Sequence, residues 1–206
     1  QPCWWICRFT RQVHGDSVAV VKRLQERKYP LHTVTIVKDK KAVAFAEEVG
    51  VGNSALFTVG SGETSQTQES VELMAKVVSI QGGIFYQEGP VGTGQRRNLG
   101  KTAVLSAHNI DLLVCEHPCG TGDLQVYKNF GINPQEYQLV VVKANTSFRA
   151  AYERLASKIC MTDTPGIGTS NLKKLNYRRL PKKFYPFDSL EDYQVKAPQT
   201  QFYVKK

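Results

Sequence analysis

One stretch constrains the fold more than any other. Leu139–Lys143 reads LVVVK, an almost continuous apolar run rich in β-branched residues. Such a run suits a strand buried on both faces, the situation of a sheet covered by helices on both sides. The N-terminal part points the same way. After Asp16, which can serve as an N-cap, Val18, Val20, Val21 and Leu24 recur at helical spacing, and this helix should end near Lys28–Tyr29–Pro30. Leu31–Val37 alternates as a strand does. Asp39 can cap a second helix over Ala42–Val49 that stops at Gly50, and Ala55–Val59 follows as a short strand. Helices and strands in alternation imply α/β layers.

The middle of the chain differs. Residues 60–69 are a polar loop. Val71–Ile80, Ile84–Gln87, Lys101–Ala107 and Leu112–Cys115 are β-like runs separated by Gly82–Gly83, Gly89–Pro90 and Gly92–Gly94. Short strands with Gly-rich turns predict an antiparallel meander. Then Asp123–Phe130 reads as a short helix, Asn133–Pro134 as a turn, Phe148–Leu155 as a helix and Ile159–Thr162 as a strand. The expected fold is therefore α/β (α+β by some criteria): a mixed β-sheet with flanking helices and a central antiparallel β-meander. Residues 1–15 lack periodicity and read as an irregular lead-in. Residues from Asp163 are punctuated by Pro and Gly and should wrap the surface, and 189–206 form a basic tail.

Composition narrows the partners. With 206 residues, 41% of them hydrophobic, the chain can support one main core. No apolar run reaches the ~20 residues of a membrane helix, and no membrane partner is expected. The net charge of +9 arises from 27 Lys and Arg against 18 Asp and Glu. Part of the excess lies in Lys173–Lys183 (KKLNYRRLPKK), with Tyr177 inside it and Phe184 and Tyr185 after it. Basic and aromatic residues together suit single-stranded nucleic acid. They equally describe a strap whose aromatics pack inward, and no nucleic-acid motif accompanies them, so nucleic acid is not the expected partner. Five cysteines, an odd number, argue for reduced thiols in a cytoplasmic protein.

Few motifs carry chemistry. Asp163–Gly166 (DTPG) resembles a GTPase signature, but no Walker A loop precedes it. Gly92–Arg97 (GTGQRR) resembles a phosphate loop, yet it lies between strands and reads as a hairpin turn. Cys115, His117 and Cys119 form the most metal-like stretch. Two thiolates and an imidazole are zinc ligands, but a fourth would have to come from Cys160 or water, and structural zinc usually uses two ligand pairs. Free thiols are the preferred reading. His14–Gly15–Asp16 precedes the first helix, where backbone N–H groups and a carboxylate suit a polar ligand. No complete catalytic constellation is present.

From about Asp16 to Asp188 the order of motifs resembles the C-terminal domain of the MlrC (microcystinase C) family of zinc metallopeptidase-like proteins. Asp39–Gly52 (DKKAVAFAEEVGVG) is similar to a family segment ending in G-V-G, and Gly89–Leu105 (GPVGTGQRRNLGKTAVL) to its G-P…G…L-G-x-T-A-V-L. Phe130–Asn133 with Tyr137–Lys143 (FGIN…YQLVVVK) resembles F-x-x-x-G-I-x-P…Y-x-x-V-V-V-K. Phe148–Tyr152 (FRAAY), Asp163–Gly166, and Leu175–Arg179 with Tyr185–Asp188 (LNYRR…YPFD) resemble H-F-R-A-A-F, D-x-P-G and L-P-Y-R-R…W-P-L-D.

The resemblance implies hydrolysis of peptide or amide bonds in an intact protein, with zinc held mainly by an N-terminal domain outside this sequence. Zinc would polarise a carbonyl and activate water there. No metal is expected on this chain alone, which should be inactive by itself. Its partners would be that N-terminal domain and a peptide or amide substrate; self-association is left open. Gly15, Asp16, Lys143, Ser147 and Arg149 are the expected substrate-binding residues, Lys143 and Arg149 as ligands for a carboxylate. Two departures stand out. Arg8–Asp16 keeps only Gly15 and Asp16 of the family's D-N-x-G-G-G-x-x-G-D loop, and Ser147 stands where the family has His. A serine hydroxyl neither binds zinc nor moves a proton as imidazole does. The alternative is a non-catalytic binding or assembly module.

Overall fold

A computed structural model describes residues 5–9, 17–60, 70–118, 120–144, 147–162, 177–179 and 187. The chain divides into two compact units, Gln1–Thr169 and Ser170–Lys206. In the second, the rings of Tyr177 and Phe187 meet edge to face at 5.2 Å. Most of the basic stretch Lys173–Lys183 lies outside the described residues, as does DTPG.

The first unit is built on one eight-stranded sheet. In chain order its elements are β1 (Trp5–Phe9), α1 (Ala19–Glu26), β2 (Thr33–Lys38), α2 (Lys40–Val49), β3 (Ser54–Val59), β4 (Val71–Tyr86), β5 (Arg96–Ala107), β6 (Ile110–Cys115), α3 (Gln125–Lys128), a 3-10 turn (Pro134–Glu136), β7 (Leu139–Val142), α4 (Arg149–Tyr152) and β8 (Lys158–Thr162). The strand order is β3-β4-β5-β6-β2-β7-β1-β8. β3 to β6 pair antiparallel; β6, β2, β7, β1 and β8 pair parallel. The mixed sheet with its meander is thus as expected, with the meander at one side of the sheet.

The connections explain the two-sided core. The crossovers through α1 and α2 run toward the meander, and those through α3 and α4 run the other way. Parallel crossovers are almost always right-handed, so opposite directions place α1 on one face and α3 and α4 on the other; α2, which leads to the antiparallel β3, packs on the face of α1. The packing follows. Val18, Val21, Ala42, Val43 and Ala46 join Val37, Leu112 and Val114 on one face. Val126, Tyr127, Phe148 and Tyr152 join Ile36, Leu113 and Val142 on the other. In β7, Val140 and Val142 face the second cluster, while Leu139 and Val141 meet Val20, Leu24 and Leu31. All four β7 residues are buried, as the apolar run requires.

Three expectations need correcting. Residues 5–9 are not part of an irregular lead-in. They form β1, inserted between β7 and β8 with Trp5 opposite Leu139 and Lys158. The pairing is with partners remote in sequence, so local periodicity could not announce it. Gly82–Gly83 does not end a strand: β4 runs through both glycines and pairs Gly82 with Lys101. The register shifts between Gly82 and Ile84, and a Cβ at Gly83 would lie 2.3 Å from the Gly100 carbonyl oxygen. Glycine here permits a bulge and a close backbone approach, not a turn. Finally, α1 is not capped by a side chain at its N-cap residue, Val18; Ser17 Oγ accepts the Ala19 N–H at 3.3 Å. Asp16 lies outside the described residues.

Candidate functional site at the carboxyl edge of the sheet

In open α/β sheets, ligands bind beyond the carboxyl ends of the strands where neighbouring crossovers leave to opposite faces. Here β6, β2, β7 and β1 alternate in that sense, so their carboxyl edge is the candidate site.

Asp39 follows β2 and is 3% exposed. Its Oδ1 accepts the Ala42 N–H at 3.0 Å, the expected cap, and its Oδ2 accepts the Gly60 N–H at 2.8 Å. Both carboxylate oxygens therefore serve the scaffold. Lys143 follows β7 and is 6% exposed. Its backbone N–H donates to Thr121 Oγ1 at 2.6 Å, and its Nζ donates to the Ser17 carbonyl at 2.9 Å. The ammonium thus reaches the segment that enters α1.

Ser147 is exposed and lines a cleft of about 220 Å³. Gly120 and Gly122, after β6, line it beside Ser147. Gln87, Val91, Gly92, Gln95 and Arg97, from the end of the β4–β5 hairpin, complete it. Gly92–Arg97 is the hairpin turn expected of it: Gln87 N–H donates to the Gln95 carbonyl, and Gly94 N–H to that of Gln87. Asp123, 2% exposed, joins the two walls through the Gly89 N–H at 2.7 Å and also accepts the Gln125 N–H at 2.8 Å.

The predicted residues separate in space. Ser147 lines the cleft; Lys143 and Arg149 do not. Arg149 is exposed on α4, with Nη1 donating to Glu153 Oε1 at 2.7 Å and its guanidinium 5.8 Å from the Phe148 ring centroid. Gly15 and Asp16, like Asp163, fall outside the described residues. Sequence reasoning missed Arg97 and Gln87 as cleft residues. Arg97 reads in sequence as part of a turn, and Gln87 carries no motif.

Of the metal-like stretch, Cys115 and His117 are among the described residues. Cys115 is buried, and its thiol donates toward the Val37 carbonyl at 3.6 Å and that of His117 at 3.3 Å. His117 is exposed and tied by its backbone to Leu99. Cys119 lies outside the described residues. Among the described residues no three His, Cys, Asp or Glu side chains gather as a metal would need.

A second polar cluster sits at the opposite edge. Tyr137 donates to Asp111 Oδ2 at 2.7 Å, His32 Nε2 lies 3.4 Å from the same oxygen, and the His32 and Tyr137 rings stack at 4.3 Å. Burial first, then the Asp111 hydrogen bond, pushes the Tyr137 phenol above its ordinary range. No described helix is long and apolar enough to cross a membrane.

The fold and its edge define an α/β domain with a polar cleft shared by a hairpin and two loops. The model of the MlrC C-terminus matches residues 13–179, and the chain belongs to that family. A solved structure described as a "putative metallopeptidase" from Mesorhizobium sp. BNC1 has the same fold, with a TM-score of 0.79 at 22% identity. The similarity covers 92% of this chain and 39% of that one, so the chain spans well under half its neighbour's length. No curated protein sequence matches.

Proposed function

We propose that this domain supplies one wall of the substrate cleft in an MlrC-like metallohydrolase that cleaves peptide or amide bonds. The observation that carries this reading is the cleft at the carboxyl edge, with Ser147 at the position where the family resemblance places His. Family membership and the metallopeptidase-like neighbour support the class of reaction. Zinc would belong to the N-terminal domain of the whole protein, as the family resemblance implies. The domain's own work is then binding and orientation: a cleft bounded by backbone, amides and a hydroxyl can align an extended peptide. A cytoplasmic location is part of the same proposal; Cys115 and Cys160 are thiols, not members of a disulfide.

The test uses the longer protein that carries this domain. Ser147→Trp would fill the cleft from an exposed position. The expected result is a fall of about tenfold or more in kcat/KM for a short linear peptide, with unchanged melting, since a displaced substrate loses the benefit of orientation. Unchanged kinetics would remove the cleft from the reaction. An unsubstituted protein with no hydrolysis would favour a binding or assembly module.

A further inference from the structure

The cleft has one charged side chain in its lining, Arg97, and no acid. Among the described residues no carboxylate pairs with it. Arg97 is held instead by two neutral oxygens: its Nε donates to Gln87 Oε1 at 2.7 Å and its Nη2 to Gln95 Oε1 at 3.0 Å. These bonds fix the plane of the guanidinium without neutralising it. Nη1 keeps both of its hydrogens, because a guanidinium has five and only two are engaged.

The turn is built around this arrangement. Gly92 has φ +82°, and a Cβ there would lie 2.9 Å from Gln87 Oε1 and 3.0 Å from Gln95 Oε1. The positive φ favours glycine, and the absence of a Cβ leaves room for the two amide oxygens to converge on one cation. A second observation points to a ligand. Gln87 is a buried residue, 8% exposed, and lines the cleft. Its Oε1 is taken by Arg97, which leaves Nε2 as a pure donor, and that nitrogen has no partner among the described residues. A buried donor left unmade costs about 1–3 kcal/mol, so such groups normally meet a ligand or water.

We propose that Arg97 and Gln87 bind a carboxylate of the peptide-like substrate, with the Ser147 hydroxyl as a further donor; this rests on the cleft reading above. A single positive charge without a second cation suits a monoanion. Two guanidinium N–H groups match the two oxygens of a carboxylate, and the Gln87 amide adds a neutral donor. The carboxylate role expected of Lys143 and Arg149 passes to Arg97.

The probes are acetyl-trialanine as the free acid and as the carboxamide, titrated into the isotopically labelled longer protein that carries this domain and followed by NMR. The acid should shift the amides of Gly120, Gly122 and Ser147 and the Nε–H of Arg97, and bind about tenfold more tightly than the carboxamide, in keeping with one exposed charge-assisted contact. Arg97→Gln should abolish that preference. Arg97→Lys, which keeps the charge and loses the fork, should retain only part of it and stands in should Arg97→Gln fail to fold. Equal binding of acid and carboxamide at the same amides overturns the carboxylate site and leaves the cleft standing. Failure of both peptides to shift those amides overturns both readings.

Discussion

The carboxylate of Asp123 accepts the backbone N–H of Gly89 at 2.7 Å, so a residue just beyond β6 holds the mouth of the β4–β5 hairpin. The same carboxylate caps the turn into α3 through Gln125. One buried group therefore fixes the spacing between the two walls of the cleft. Asp123→Ala should lower stability by about 2–4 kcal/mol, since two charge-assisted bonds go and two amides lose their acceptor. Asp123→Asn keeps one acceptor and should cost less. Urea unfolding of both variants checks the order; equal losses would show that charge is not what holds the hairpin.

Asp39 makes a parallel case at the end of β2, serving Ala42 and Gly60 together. Asp39→Ala should cost about 2–3 kcal/mol, more than an ordinary exposed helix cap at about 1 kcal/mol. Hydrogen exchange should accelerate at both the Ala42 and Gly60 amides. Acceleration at Ala42 alone would mean that the Gly60 bond contributes nothing.

Tyr137 gives a pH prediction. Its phenol is raised first by burial and then by its bond to Asp111. A group with a raised folded value contributes stability that is present below its unfolded value, near pH 10, and lost as pH climbs toward the folded one. At pH 7 Tyr137→Phe should cost about 1 kcal/mol, the ordinary net contribution of one hydrogen bond. The gap between wild type and variant should narrow above about pH 10. Lys101, raised by its hydrogen bond to Glu47, titrates in both proteins and cancels in the difference. A gap that stays constant from pH 7 to pH 11 would contradict the assignment.

Gly83 tests the bulge. Its would-be Cβ meets backbone oxygen at 2.3 Å, and backbone yields less than a side chain tip. Gly83→Ala should destabilise by about 3 kcal/mol, at the upper end of overpacking costs. Gly82→Ala, with nothing within 4 Å of its Cβ, should cost far less. A pair of matched melting curves decides it.

Legibility followed the range of the interactions. α2 could be bounded in advance because Asp39 and Gly50 are local signals, and β7 because burial on both faces leaves an apolar run. β1 could not, since Trp5–Phe9 acquires its neighbours only when Leu139–Val142 and Lys158–Thr162 arrive. The site divided in the same way. Ser147 was found through a motif. Arg97 was seen as part of a turn, because the amide oxygens that make it a binding group converge only once Gly92 has closed the hairpin.

The placement of β1 also sets a timetable. The meander β3 to β6 joins strands close in sequence and can assemble while the chain is still being made. β1 pairs only with strands from the far end of the unit, so it must stay unpaired until they are made, and contacts of such separation slow folding. One sheet thus has an early half and a late half. The late half is where an exposed β1 would meet chaperones or stray strand edges before β7 and β8 emerge.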